Sequence, residues 1–301
     1  MDDRVPVVGE CVEVEAIFHE GSGTLTYMVW DEETRDAILI DTVLDFDSQS
    51  IRFSTESLES IYERIEARQL CVRAVLDTHV HADHFSGMAE VKTRYGCWTV
   101  IGSGIRRVQE IFVPLYGIQD ACPTDGSQFD RLMAHEEDLC FGSITVRALH
   151  TPGHTPACTC YLVGDMLFTG DAMFMPDFGT GRCDFPDGSA GQLYDSVMNR
   201  LYTLPPDTRV FVGHDYQPGG RELRFETTIA ECAENNIRLS ENTARLDFVE
   251  WRTDRDAQLH FPKLLFSAIQ VNIDAGRLPR PTNHGIRYLK HPIAQLGPSD
   301  V

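Results

Sequence analysis

A chain of 301 residues has room for one large domain or two small ones, and 42% hydrophobic with 24% charged residues is a soluble, globular balance. Its net charge of -20 argues against a phosphate backbone as partner, because nucleic-acid binding draws on basic patches that release counterions. No run approaches the roughly 18 apolar residues of a membrane span, and the acidic start lacks the apolar stretch of a secretory leader. Nine scattered cysteines without a Cys-x-x-Cys pair speak against a disulfide framework, so a cytoplasmic protein with no nucleic-acid or membrane partner is expected.

In chain order, apolar runs at Val12–Phe18, Thr24–Trp30 and Ala37–Ile40 predict an antiparallel meander. Over Glu56–Gln69, the spacing of Leu58, Ile61, Tyr62 and Ile65 predicts a helix with one apolar face. Cys71–Leu76 reads as a strand leading into Asp77-Thr78-His79, and a second helix is expected from about Asp83 toward Tyr95. Further strands are expected at Ile144–Leu149, Thr159–Val163 and Met166–Thr169. A helix at about Gly191–Tyr202, a strand at Arg209–Val212 and a helix from about Arg221 to Asn235 follow. Two runs of strands, each followed by helices, predict an α/β four-layer αββα sandwich with two facing sheets. From residue 236 the character changes to a polar helix, a short amphipathic segment and coil from Leu278. Residues 236–301 therefore read as a C-terminal extension packed on a domain of residues 10–235, with no chemistry attached to it.

The strongest chemical signal is Thr78-His79-Val80-His81-Ala82-Asp83-His84. In extended form His79 and His81 point to one side, and four ligand-type side chains within six residues after a buried strand are costly unless something binds them. Three shorter pieces fall at later strand ends. Thr151-Pro152-Gly153-His154-Thr155-Pro156 holds a histidine in a turn stiffened by prolines, while Thr169-Gly170-Asp171 and Gly213-His214-Asp215-Tyr216 place a carboxylate and a histidine just past apolar runs. A lone histidine after a strand is more often structural than a ligand, but these four pieces in this order are specific. His150 lies one strand step before its turn and reads as a non-ligand. Cys158 and Cys160 read as small buried side chains on one strand face.

These motifs resemble the metallo-β-lactamase superfamily over roughly residues 12 to 235. The resemblance implies motifs gathered at one edge of the sandwich, a first metal site from His79, His81 and His154, a second from Asp83, His84 and His214, and Asp171 between them. The Gly181-Arg182-Cys183-Asp184-Phe185 string with the later His214-Asp215-Tyr216 is similar to the persulfide dioxygenases. Met175-Pro176-Asp177-Phe178-Gly179-Thr180, Gln270-Val271-Asn272 and Arg287-Tyr288-Leu289-Lys290 are similar to a bacterial β-lactamase-like subgroup. That branch implies one Fe(II) per chain on His79, His154 and Asp171, two histidines and a carboxylate with open positions suited to O₂ and a substrate sulfur. His81, Asp83, His84 and His214 then form a polar surround, or hold a second metal. Arg182 would fix an anionic group of a small-molecule thiol persulfide, and Tyr216 would hydrogen-bond near the open side. A loop closed by an Arg182–Asp184 pair is the structural alternative. Zn(II) fits the same ligands in a purified sample, and a homo-oligomer is expected from the family.

The rival reading is a thioester hydrolase resembling glyoxalase II, with two zinc ions sharing Asp171. A metal- or sulfide-binding sensor using the same side chains is a third, of a different class. A long insertion at Val43–Thr55, with Asp45, Asp47 and Glu56 close together, departs from the smaller family members and leaves the thiol carrier open.

Overall fold

The computed structural model describes residues 12–293. The ends of the two expected segments, residues 10–11 and 294–301, lie outside the described residues. In chain order the first half contains β1 (Val12–His19), β2 (Thr24–Asp31), β3 (Asp36–Ile40), β4 (Val43–Asp47), β5 (Arg52–Ser54), α1 (Glu56–Ala67), β6 (Cys71–Asp77), β7 (Phe85–Ser86), α2 (Met88–Tyr95), β8 (Trp98–Gly102), α3 (Ile105–Tyr116) and β9 (Arg131–Met133). The second half contains β10 (Asp138–Phe141), β11 (Ile144–His150), β12 (Thr159–Val163), β13 (Met166–Phe168), α4 (Ala190–Ser196), β14 (Arg209–Phe211), β15 (Glu226–Thr228), α5 (Ile229–Asn235), α6 (Arg245–Asp256) and α7 (Leu265–Asn272).

Two six-stranded sheets form, in the orders β1-β2-β3-β6-β8-β9 and β10-β11-β12-β13-β14-β15. Strand alternation explains why they face one another. Tyr27, Val29, Ile38, Ile40, Ala74 and Leu76 enter a core with Val146, Tyr161, Phe168 and Phe211 of the second sheet. Their neighbours Met28, Leu39 and Val75 point the other way, into a core with α1, α2, α3 and α7. Helices α4, α5 and α6 contribute Leu193, Ile229 and Phe248 to the first core, completing the αββα layering. Tyr27 ties the sheets: its ring lies 5.1 Å from that of Phe168, and its hydroxyl donates to the carbonyl of Val212 at 2.6 Å. Along α1, Leu58, Ile61, Tyr62 and Ile65 are the buried face, each contributing about 1.5–3 kcal/mol of burial. No described helix is long and apolar enough to cross a membrane.

Two expected helices start later than their sequence suggests. The one expected from Asp83 starts at Met88, because Phe85 and Ser86 stay extended and pair with Val43 and Leu44 of the inserted segment. The one expected from Arg221 starts at Ile229. Arg221 is drawn to Asp177 and Asp215, Glu226–Thr228 pairs with β14, and Thr228 caps the new helix by accepting from the Glu231 amide at 3.1 Å. β4, β5, β7, β8, β9, β10, β15 and α3 were not anticipated; short, partly exposed strands such as β9 and β10 carry little hydrophobic periodicity.

The strand ends that carry the motifs approach very closely. Gly170 has φ +49°, and a Cβ there would sit 2.4 Å from Thr78 Oγ1. We therefore expect Gly170→Ala to lower the unfolding free energy of the metal-free protein by about 1–3 kcal/mol, read as a reduced urea midpoint with unchanged slope.

Candidate metal centre

The C-terminal ends of β3, β6, β11, β13 and β14, together with the β1–β2 turn, meet at one edge of the sandwich. β6 runs into His79, and the loop after it carries His81, Asp83 and His84. Beyond β11 the Pro-Gly turn carries His154; Gly153 there has φ +152°, and a Cβ on it would fall 2.4 Å from the Leu193 backbone. Asp171 follows three residues after the end of β13, and His214 three residues after the end of β14.

Ligand-type atoms of His79, His154 and Asp171 lie within 4.8 Å of one another, as do those of His81, Asp83 and His84. Asp171 stands between the groups: Oδ2 is 4.0 Å from His79 Nε2 and 3.4 Å from His154 Nε2, and Oδ1 is 3.4 Å from His214 Nε2. His214 Nε2 also lies 3.6 Å from Asp83 Oδ2. All seven expected residues are thus brought together, and all but Asp83 are buried.

Each imidazole is anchored through one nitrogen and leaves the other facing inward. His154 Nδ1 donates to the carbonyl of Arg182 at 2.6 Å and His214 Nδ1 to that of Gly23 at 2.9 Å. A carbonyl only accepts, so both rings carry a proton on Nδ1, and in the neutral ring Nε2 is the lone pair left for a metal. His79 Nδ1 meets Thr78 Oγ1 at 2.9 Å, His81 Nε2 meets Asp41 Oδ1 at 3.0 Å and His84 Nδ1 meets Asp83 Oδ2 at 3.0 Å. The opposite nitrogens, His79 Nε2, His81 Nδ1 and His84 Nε2, are buried without a hydrogen-bond partner, as is Asp171 Oδ1. Orphaned buried lone pairs at this density are costly, and a metal ion held by either ligand group would answer those that face it. The residues present therefore fit a metal ion.

Burial, reinforced by neighbouring imidazoles, drives the pKa values of His79 and His81 well down and keeps these rings neutral, as ligands must be. For His214 burial also works against charge, but Asp171 and Asp83 outweigh it and the pKa rises. Burial pushes Asp83 up, and His84 and His214 more than reverse this, leaving it well below the usual range.

Several site residues were not read from the sequence. Asp41, just past β3, accepts from the Thr78 amide at 2.7 Å and from Thr78 Oγ1 at 2.8 Å as well as bonding His81. Asp41, Asp77 and His81 form a third close grouping. The signal for Asp41 was a carboxylate ending a buried apolar strand, the pattern that marked Asp171. Thr24 Oγ1, at the start of β2, donates to Asp83 Oδ2 at 3.1 Å; nothing in its local sequence marks it.

A cavity of about 450 Å³ opens beside Asp171, with Arg182, Tyr216, Phe178 and Trp251 in its wall. The Arg182 fork is spent on Asp184, with both nitrogen–oxygen distances 2.5 Å, and its Nη1 donates to the His260 carbonyl. The ring of Tyr216 stacks 5.5 Å from that of His214 and is half-exposed. Asp45 faces away from this cavity and accepts from Ser57 at the start of α1. His150 bonds the Met133 carbonyl, and burial raises the thiols of Cys158 and Cys160 to about 12, which leaves them protonated.

A family model, the metallo-β-lactamase superfamily, matches residues 19–214. The chain belongs to that superfamily. It is 43% identical over 290 residues to a probable metallo-hydrolase of Burkholderia pseudomallei, covering 93% of this chain and 98% of the relative. It is also 43% identical over 277 residues to glyoxylase B2 of Dictyostelium discoideum, covering 91% and 94%. The human mitochondrial persulfide dioxygenase ETHE1 is 31% identical over 212 residues, 69% of this chain and 70% of the relative. The crystal structure of ETHE1 from Myxococcus xanthus superposes with a TM-score of 0.71 at 31% identity, over 88% of this chain and 100% of that one.

Asp41→Asn removes one acceptor from a carboxylate that anchors both Thr78 and His81. We expect metal affinity to fall about 10–100-fold in a chelator competition. Wild-type protein at a metal concentration near 1,000 times Kd should gain about 4 kcal/mol over its metal-free form in thermal or urea unfolding.

Proposed function

We propose that this protein is a metal-dependent persulfide dioxygenase, with a single Fe(II) held by His79, His154 and Asp171. The carrying observation is that this three-ligand face meets, at Asp171, a cavity large enough for a small thiol carrier. The likeness to ETHE1 in sequence and in fold supports the same reading. Iron there supplies the redox chemistry, and the protein supplies orientation and a partly dry, polar surround. The reaction converts a persulfide, O₂ and water to the thiol, sulfite and two protons.

The chain's own residues bind the carrier. Arg182 lines the wall, but Asp184 occupies and neutralises its fork, so the free positive charge comes from elsewhere. Arg238 and Arg255 line the same cavity and have no acidic partner among the described residues, although the chain as a whole is strongly acidic. Guanidinium groups so placed suit the carboxylates of a glutathione-type persulfide. Tyr216, stacked on His214, borders the route to Asp171.

One observation favours a second reading. His81 Nδ1 and His84 Nε2 are orphaned and, with Asp83 and His214, make a ready second site. Two zinc ions sharing Asp171 would suit thioester hydrolysis, in line with the names of the relatives at 43% identity.

The deciding experiment is O₂ uptake by anaerobically iron-loaded protein given glutathione persulfide, with sulfite quantified, beside lactoylglutathione hydrolysis by the zinc form. Uptake with one sulfite per O₂, reduced at least about 100-fold in His154→Ala, is the expected result. An iron-filled protein that takes up no O₂, while the zinc form cleaves the thioester, transfers the chain to the hydrolases.

A further inference from the structure

Helix α7, and with it the Gln270-Val271-Asn272 string, is not used by the site as described so far, and α6 only lends Trp251 and Arg255 to the cavity wall. Asn272 ends α7 and is 1% exposed. Its Nδ2 donates to the carbonyls of His81 and His84, at 2.8 and 2.9 Å, and its Oδ1 accepts from the Ser86 amide at 2.8 Å. One carboxamide thus holds three backbone groups of the loop that carries His81, Asp83 and His84. Helix α7 is itself fixed by Leu265, Ala268, Ile269 and Val271 in the outer core, so the amide is presented from a rigid element.

A second grip reaches the other ligand group. On α6, Asp256 Oδ2 accepts from the Cys183 amide at 2.7 Å and pairs with Arg252, both side chains buried. Arg252 Nη1 lies 3.5 Å from the carbonyls of Thr180 and Gly181. Between these points is Arg182, whose carbonyl receives the Nδ1–H of His154. Gly181 N also bonds the Asp171 carbonyl at 3.2 Å. The α6 pair therefore holds the short segment that orients His154.

We infer that the C-terminal helices form the outer wall of the metal centre, with Asn272 and Asp256 as positioning residues for His81, His84 and His154. The inference rests on the metal reading of the site but not on which reaction it performs. Asn272 donates two hydrogens to two carbonyls; an aspartate in its place would turn a carboxylate toward both oxygens, so even this isosteric change breaks the grip. Gln270, on the same helix and similarly buried, accepts from the Lys290 amide and touches no ligand loop. It supplies the control for stability alone.

The test compares wild type, Asn272→Ala, Asn272→Asp and Gln270→Ala. It measures Co(II) affinity by chelator competition and the visible absorption of the Co(II) form, which reports ligand geometry independently of turnover. Both Asn272 variants should bind about 10–100-fold more weakly with an altered spectrum, while Gln270→Ala lowers only the melting temperature. Asn272 variants that lose stability but keep the wild-type spectrum and an affinity within about threefold would overturn the inference. Where they fail to fold without metal, Asp256→Asn, on the His154 arm, is judged by the same two measurements. Wild-type protein that binds neither cobalt nor zinc would instead sink the metal reading itself, and a missing dioxygenase activity leaves these affinities untouched.

Discussion

Five imidazoles and the carboxylates of Asp41 and Asp171 sit out of water at one edge of the sandwich, and everything else at that edge follows from the cost of keeping them there. A buried imidazole needs a partner at each of its two nitrogens. The fold supplies one partner per ring, in Thr78, Asp41, Asp83, Arg182 O and Gly23 O, and leaves the opposite nitrogens pointing at Asp171 or at nothing. The hydrogen bonds fix ring direction and proton position together, so the site is organised for a cation before one arrives.

That organisation explains the glycines and the close strand approaches around it. Two sheets packed face to face bring five strand ends to the same edge, and the chain must leave each strand in a direction that its neighbours permit. At Gly153 and Gly170 there is no room for a side chain, and the backbone takes a conformation that other residues resist. The ligands inherit their precision from sheet packing, in which Tyr27, Phe168 and Phe211 lock one layer to the other. The inserted segment after β3 extends this support, because its strand β4 pairs with β7 directly after the first motif.

The relatives in this superfamily carry two kinds of name, a persulfide dioxygenase and a probable metallo-hydrolase. For this chain the two readings differ in whether His81, Asp83, His84 and His214 act as ligands or as the hydrogen-bonded surround of a single ion, and in what the adjoining cavity admits. Aromatic rings from Phe178, Tyr216 and Trp251 shape that cavity, with the guanidinium groups of Arg238 and Arg255, which have no acidic partner among the described residues. Its chemistry therefore depends on residues far in sequence from the histidines.

The amino-acid sequence by itself determined the layered class of the fold, the metal-binding character and the seven ligand-type residues. Strand alternation and motif-bearing strand ends are local patterns, and costly polar side chains after apolar runs are legible without coordinates. Thr24, Asn272 and Asp256 were not legible as parts of the site, because each acts through a partner tens to hundreds of positions away, while Asp41 was missed although it ends a buried apolar strand as Asp171 does. The starts of α2 and α5 were misplaced for a related reason: strand pairing to β4 and β14 overrode local helical preference. Only the tertiary structure decided which nitrogen of each ring faces inward, since that choice belongs to the partner across the fold rather than to the histidine.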